Sequence, residues 1–344
     1  MIYPMSLSRT WDCRIAESVA MIVVELENPD WTALRQAMAL SLATGRNCSI
    51  EGVDPVLDSI HNRRMLDAVI AVLEEFPGCR LTEKTNSLLL ENDGLQYGNF
   101  QVKMHPYVPL SEIVFLLAPA LSFCEFRSEL QLEGVTHSHL SYPSSYLKEA
   151  LPSVIGKAGY TVASSLKRFG FYASGEGIMG TKVYPYEKRE DHVSWNDNVW
   201  DIVDLRIFVS KIDVTFAEYQ KQYLQDRLDP EDGVISIMEI INAAGYGNHI
   251  DVYMRSGDIM AVESMTMELY DESGEFIFSD EMMNENLDDL CKRVQGVIAD
   301  NSIPPGVLRE AAPFLHLAGI SLNENGFNER IQGSTLQVCG LFSR

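Results

Sequence analysis

Arg168-Phe-Gly-Phe-Tyr-Ala-Ser-Gly-Glu-Gly177 is the stretch of sequence that decides the fold. Its three glycines permit positive φ angles and let another strand or a ligand approach the backbone closely. Its aromatic residues supply the bulk that strands favour. On these local grounds the segment predicts a glycine-rich hairpin at a sheet edge, leading into a strand over 178–183. A ligand-binding loop is the alternative.

Helices and strands alternate on both sides of this segment. Upstream, periodicity predicts helices over 31–44, 62–76, 110–123 and 145–159, with strands near 21–26, 48–53, 87–91, 98–104, 129–133 and 161–166. Downstream it predicts strands near 201–212, 234–241, 250–255, 265–270 and 336–342, with helices over 216–228, 281–299 and 306–317. A charged stretch over 186–192 without apolar periodicity indicates a boundary. We therefore predict a large domain from 1–186 and 281–344, with an N-terminal extension at 1–20, and an inserted α+β domain at 187–280.

Charge and composition limit the partners. The chain of 344 residues has 27 basic and 49 acidic residues, a formal net charge of −22. Such a field repels phosphate backbones, so we expect a protein partner, with a basic one favoured, rather than naked nucleic acid. A homodimer stays open.

The cellular compartment is predicted from sequence motifs that the chain lacks. The six cysteines are scattered without a CxxC motif, which is typical of thiols in a reducing compartment. No apolar run reaches the roughly 18–20 residues that span a bilayer, and residues 1–20 lack a signal-peptide core. We expect a cytoplasmic protein without membrane contact.

Several short strings, taken together, carry a family resemblance. They are Leu34-Arg35 through Thr44-Gly45, Gly134-Val-Thr136, Gly170-Phe-Tyr172 with its following glycines, Gly247-Asn248 and Leu317-Ala-Gly319. Their order and spacing resemble the RNA 3'-terminal phosphate cyclase family over about residues 21–344. The resemblance implies an α+β fold of three stacked helix-on-sheet repeats, as in enolpyruvyl transferases, with a smaller inserted α+β domain.

The resemblance also implies a chemistry, and here the sequence departs from the family. Family enzymes use ATP and a metal ion to adenylate a histidine, pass AMP to an RNA 3'-phosphate, and close a 2',3'-cyclic phosphate. That histidine stands in a His-x-x-Thr-Asn context. The corresponding segment here, 329–335, contains no histidine, and Arg330 or Ile331 falls at the expected place. An arginine stays protonated at neutral pH and is not a phosphorus nucleophile.

Other departures fall at the nucleotide and phosphate end. The family's Glu-Gly-Gly-Gly loop is replaced by Asn28–Trp31, its Arg-Ala-Gly-Arg segment by Val53–Val56, and a nearby lysine by Asp58. Its Gly/Ser loop is replaced by His105–Pro109, and its late Asp-Gln pair by Arg309-Glu310. Within the opening segment, Ala173 replaces a proline and Glu176 a glycine.

A residual cleft is what the resemblance leaves. By resemblance it would be lined by Arg63, Arg168, Tyr172, Gly175 and Gly177. The structural alternative is that Arg168 pairs with a carboxylate and Tyr172 packs under the loop.

The histidines offer few sites. His316 is the catalytic candidate if any chemistry is kept, and a core histidine is its alternative. His137 and His139 are predicted to lie in a surface turn rather than to bind a metal, and we expect no metal site.

Two hypotheses of function follow. The first is a non-catalytic cyclase-like protein, a binding or scaffolding module related to RNA processing, with no cofactor. The second is an active RNA 3'-phosphate cyclase or nucleotidyl transferase with a relocated nucleophile, which would need ATP and Mg²⁺.

Overall fold

The structure is a computed structural model that describes residues 21–172, 174–189, 199–231, 234–270, 275–322, 331 and 333–343. The predicted N-terminal extension, Ala173 and Arg330 lie outside the described residues. Within these ranges no helix is both long and apolar enough to cross a bilayer.

The first helix-on-sheet unit spans residues 22–92. Its helices are α1 (Trp31–Thr44), the short α2 (Asp54–Leu57) and α3 (Ile60–Glu74). Its strands are β1 (Ile22–Glu25), β2 (Cys48–Glu51), β3 (Cys79–Lys84) and β4 (Ser87–Asn92), and the sheet order is β1-β2-β4-β3. Strands β1 and β2 are parallel, and the other pairs are antiparallel.

The ends of α1 follow from local chemistry. The Asp30 side chain accepts a hydrogen bond from the Ala33 amide at 2.8 Å, which satisfies one of the free donors of the first turn. Gly45 ends the helix in the left-handed conformation at φ 63°, which glycine adopts without penalty.

The second unit repeats the first. Strands β5 (Asn99–Lys103), β6 (Ser128–Gly134), β7 (Val162–Arg168) and β8 (Gly177–Val183) have the order β5-β6-β8-β7, so both sheets follow the same path. Its helices are α4 (Leu110–Leu121) and a segment that holds a π turn (Tyr146–Ala150), α5 (Leu151–Ile155) and a 3₁₀ turn (Gly156–Ala158). All twelve residues of α4 are buried, and α4 packs against α1 in the core.

The third sheet has a different path. Strands β9 (Asp201–Ser210), β10 (Ile235–Glu239), β11 (Gly247–Ser256) and β12 (Ile259–Met267) lie in the order β10-β9-β11-β12, with α6 (Thr215–Leu228) between the parallel β9 and β10. All four strands come from the segment predicted as an inserted domain. Three four-stranded sheets packed with helices confirm the predicted α+β fold class.

Three helices follow the third sheet: α7 (Asp280–Asp300), α8 (Pro305–Leu317) and α9 (Gly333–Phe342). Helix α7 packs on β12 and α6, whereas α8 and α9 pack on α1. The domain boundaries at 186/187 and 280/281 stay predictions.

The prediction of a final strand over 336–342 is wrong, because the segment is helical. Its buried residues, Thr335, Val338, Cys339 and Phe342, recur at the i, i+3, i+4, i+7 spacing of one helix face.

Candidate functional site

The glycine-rich segment is a hairpin that joins β7 to β8, which confirms the local prediction. The two ends of its loop, at Gly170 and Gly177, pack against the end of β6. A Cβ on Gly170 would lie 2.3 Å from the Gly177 amide nitrogen and 2.6 Å from the Gly134 carbonyl oxygen. The Gly170 amide also donates to the Thr136 hydroxyl at 2.9 Å. These glycines are therefore required by close backbone packing, whatever the segment binds.

Glu176 occupies a left-handed conformation at φ 57°, where the family pattern has glycine. This conformation costs a non-glycine residue roughly 1–2 kcal/mol. We therefore expect Glu176→Gly to raise the free energy of unfolding by about 0.5–1 kcal/mol, after allowing for the greater freedom of glycine in the unfolded chain. Denaturant titration measures the gain. Glu176→Ala keeps the strain and serves as the control, so an equal gain in that variant would contradict this explanation.

Tyr172 leads from the hairpin into a cluster of rings. Its hydroxyl lies 3.3 Å from Nδ1 of His61 on α3, and its ring contacts those of Tyr107 and His139 at centroid distances of 5.5 and 5.4 Å. His105 stacks on Tyr107 at 5.2 Å. We call His61, His105, Tyr107, His139 and Tyr172 the aromatic platform.

The structure brings the predicted residual-cleft residues together only in part. Arg63 leaves α3 toward β3 and pairs with Glu83 at 2.5 Å. Arg168 donates through Nε to the Glu176 carbonyl oxygen at 2.5 Å, which closes its own hairpin. Gly175, at φ 64°, packs against Pro106. Tyr172 is thus the hairpin residue of this group that contacts α3, through His61, whereas Arg63 lies on α3 and pairs away from the hairpin.

A cleft of about 310 Å³ opens beside His61, between α1, α3, α4 and α8. We call it the acidic cleft; its lining includes Asp30, Trp31, His61, Glu112, Tyr142 and Glu310. It occupies the region where the sequence departs from the family pattern, since the Asn28–Trp31 and Arg309-Glu310 replacements both end there.

A buried charge triad forms the floor of the acidic cleft. Arg35 on α1 donates to Glu112 on α4 at 2.8 Å and to Glu310 on α8, and all three side chains are at most 7% exposed. The guanidinium also lies 4.6 Å from the centroid of the Phe115 ring. The Trp31 indole nitrogen donates to Glu112 at 2.7 Å. With all three groups ionised, the triad has one more negative than positive charge.

Burial and ion pairing shift the pKa values of the triad in opposite directions. Burial alone would lower the pKa of Arg35, but Glu112 and Glu310 outweigh it and raise that pKa above its ordinary value. Burial raises the pKa of the Glu310 carboxyl, and the neighbouring Arg35 only partly offsets this.

The other cations of the region are committed to carboxylates as well. Arg309 donates to Asp30 at the mouth of the acidic cleft. A larger cleft of about 750 Å³ lies alongside, between residues 138–146, β12, α7 and α8. Its guanidinium, Arg293, pairs with both Glu263, at 2.9 Å, and Asp289. Both clefts thus present guanidinium groups whose charge is already matched.

A second buried polar cluster fastens the third sheet to the second unit. His249 and Asp251 of β11 are hydrogen-bonded at 2.8 Å, and the Ser145 hydroxyl donates to the same carboxylate at 2.9 Å. His137 packs edge-on against His249 at 4.5 Å and is 1% exposed. The prediction that His137 lies in a surface turn is therefore wrong. Sequence alone did not show that β11 would cover it.

Acid is expected to destabilise the protein through His137. Burial lowers the pKa of His137 well below 6.5, and His249 lowers it further. The unfolded chain therefore binds a proton that the native state excludes. The contribution of His137 to the free energy of unfolding is fully present above about pH 6.5. It falls as the pH drops below that value, by up to about 1.4 kcal/mol per pH unit for one proton.

Unfolding titrations between pH 7 and 5 check this expectation against a His137→Gln variant, whose loss should be smaller. An equal loss in both proteins would contradict it.

Asp251 affects stability only at lower pH. Burial would raise its pKa, but His249 and Ser264 bring that pKa to about 2. Its contribution to stability is therefore lost only below about pH 3.8.

His316 lies in the last turn of α8 and is partly buried, and burial lowers its pKa. It is not among the described residues that line the two clefts. Its catalytic role stays a prediction.

In the segment where the family has its histidine, Ile331 is buried and residues 323–330 lie outside the described residues. Within the described part of the chain, no group of three or more His, Cys, Asp or Glu side chains is arranged to hold a metal ion.

Sequence reasoning missed Arg35 and Glu112 as partners. A signal was present, because each is the sole charged residue of an apolar helix: Arg35 in α1 and Glu112 in α4. Lone charges on faces that must be buried are expected to pair.

Comparison with known proteins places these features in context. A model of the family described as RNA 3'-terminal phosphate cyclase matches residues 31–310. A curated RNA 3'-terminal phosphate cyclase of Koribacter versatilis (strain Ellin345) is 22% identical over 280 residues, which cover 74% of this chain and 76% of that protein. A crystal structure of the enolpyruvyl transferase NikO from Streptomyces tendae aligns over 46% of this chain and 30% of its own, at 13% identity and a TM-score of 0.29. That last likeness is too slight to carry an argument.

Proposed function

This chain belongs to the RNA 3'-terminal phosphate cyclase family, and we propose that it acts there as a non-catalytic binding or scaffolding module. One observation carries the proposal. Arg309, which lines the acidic cleft, and Arg35, which lies buried against Glu112 and Glu310 of its lining, are each paired with carboxylates.

The triphosphate of ATP fits this cleft poorly. A triphosphate needs amide or cationic donors with uncommitted charge around its oxygens. With both carboxylates ionised, the buried triad presents a net negative charge toward the same space and repels a triphosphate. We therefore derive no adenylation step through this cleft.

The absence of the family's nucleophilic histidine also supports a non-catalytic role. Residues 329–335 contain no histidine, and a phosphoramidate intermediate requires an unprotonated nitrogen. The net charge of −22 favours a protein partner, and a basic one, over naked RNA.

One observation favours the active alternative. His61 lines the acidic cleft, and its Nδ1 lies 3.3 Å from the Tyr172 hydroxyl. A relocated nucleophile would be sought there first, in an ATP- and Mg²⁺-dependent cyclase or nucleotidyl transferase.

Incubation with α-labelled ATP and Mg²⁺ tests the proposal. We expect no covalent AMP on the protein after denaturing electrophoresis. An adduct that peptide mapping places on a histidine would overturn the proposal, and its loss in His61→Asn but not in His316→Asn would identify the relocated nucleophile.

A further inference from the structure

We propose that an aromatic strip at one end of the third sheet is the docking surface for a basic, amphipathic segment of a partner protein. The inference deepens the binding role proposed above and rests on it, but its test is independent of ATP. A failed docking test would leave the adenylation result standing, and the reverse holds as well.

The strip is a continuous row of ring contacts. Tyr246 contacts Tyr270 at 4.8 Å, Tyr270 contacts Phe276 at 5.3 Å, and Phe276 contacts Phe278 at 5.9 Å. Phe278 meets Phe216 of α6 edge-on at 5.0 Å. The row thus runs from the loop before β11 to the helix beside β9.

Much of this row faces solvent. Phe276 is 56% exposed and Tyr246 is 48% exposed, and the neighbouring Ile277 is 39% exposed. Single exposed apolar residues are ordinary, but contiguous ones rimmed by polar residues mark interaction sites. Tyrosine and phenylalanine are also effective anchors, because they offer a large contact area at a small entropy cost.

The strip is held in place before any partner arrives. Tyr270 and Phe276 form a backbone bridge, and the Ile277 amide donates to the Leu269 carbonyl oxygen at 3.1 Å. Beneath them, Phe276 and Phe278 line a small apolar cavity with Ile212 and Leu269. A surface that is already ordered loses little entropy on binding.

The acidic residues near the strip favour a basic partner segment. The segments that carry the strip, 211–221, 239–246, 268–270 and 275–281, contain seven acidic and two basic residues. Six of the seven are exposed: Asp213, Glu218, Glu239, Glu275, Asp280 and Glu281. An apolar strip whose own segments carry these six exposed carboxylates, which we call the acidic rim, is complementary to a segment with apolar anchors and lysine or arginine on its flanks. A second copy of this chain, or a nucleic acid, would bring like charge against the same rim.

A second exposed aromatic pair provides a matched control. Tyr97 and Phe126 are 51% and 52% exposed and contact each other edge-on at 5.0 Å, and Phe126 lies between Glu125 and Arg127 in the chain. Phe126→Ser removes as exposed a ring as Phe276→Ser does, at a place outside the strip. Because both side chains are about half exposed, both variants should fold, and circular dichroism checks this.

The test uses the full chain and a synthetic fluorescent peptide. The peptide places leucines at i, i+3, i+4 and i+7 with lysines on the other face, and a twin carries glutamates in place of lysines. We expect saturable binding of the lysine peptide, no binding of the glutamate peptide, and weakening by salt. Phe276→Ser should weaken binding about tenfold, the effect of losing an aromatic anchor, whereas Phe126→Ser should leave it unchanged.

A double charge reversal, Asp280→Lys with Glu281→Lys, tests the rim separately and should also weaken the lysine peptide. The proposal is overturned if the lysine peptide does not bind, if Phe126→Ser weakens it as much as Phe276→Ser, or if rim reversal has no effect. It is equally overturned if light scattering shows a dimer that Phe276→Ser dissociates, because the occupant would then be a second copy.

Discussion

Replacing Arg35 with methionine is expected to lower the free energy of unfolding by about 3–5 kcal/mol, because two buried carboxylates lose their shared cation. Glu112 and Glu310 are each about 5% exposed, so water cannot take over the role of the guanidinium. A loss of this size is a large part of the stability of a typical domain. Urea denaturation of the purified variant measures it.

Two companion variants separate charge from packing. Arg63→Ala breaks the ion pair with Glu83, in which both side chains are more than one third exposed, and should cost no more than about 1 kcal/mol. Adding Glu112→Gln and Glu310→Gln to Arg35→Met removes the unpaired charges and should recover part of the loss. If the triple variant is no more stable than Arg35→Met, the loss comes from packing rather than from charge.

The second large effect is expected at Gly170, at the base of the hairpin loop. Gly170→Ala places a methyl group 2.3 Å from the Gly177 nitrogen and 2.6 Å from the carbonyl oxygens of Gly134 and Gly175. These are backbone atoms of β6, of β8 and of the hairpin loop, which cannot move aside as a side chain would. We expect a loss of about 3 kcal/mol or more in the free energy of unfolding, at the upper end for overpacking.

Gly296→Ala is the control for that substitution. Gly296 lies inside α7, and nothing lies within 4 Å of the position that its Cβ would take. Alanine should therefore stabilise this helix by up to about 1 kcal/mol. Thermal unfolding of the two variants should shift in opposite directions, and a shift in the same direction would contradict the packing argument.

The sequence predicted the fold class where periodicity was strong. Helices α1 and α4 begin at the predicted residues, because their long apolar segments follow Asp30 and Pro109, which leave few alternatives for the start of a helix. The last helix was mistaken for a strand, since its ten residues are too few and too apolar for the period to be evident. The path of the third sheet could not be predicted, because strand order depends on contacts between segments far apart in the chain.

The candidate site was predicted less completely. The resemblance located the departures at Asn28–Trp31 and Arg309-Glu310, and both border the acidic cleft. It did not reveal the triad, because Arg35 lies 77 residues from Glu112 and 275 from Glu310. His137 was misplaced for the same reason: its cover, His249, comes from another sheet.

The span of the triad has a consequence for biosynthesis. During translation Arg35 and Glu112 emerge long before Glu310, and together they make a neutral pair. A nascent chain can therefore close the α1–α4 core early, whereas α8 must add its carboxylate to a site that is already balanced. Long-range closure of this kind is slow. We expect ribosome-bound chains that stop before residue 305 to hold a protease-resistant N-terminal half, with the final docking of α8 as the late step of folding.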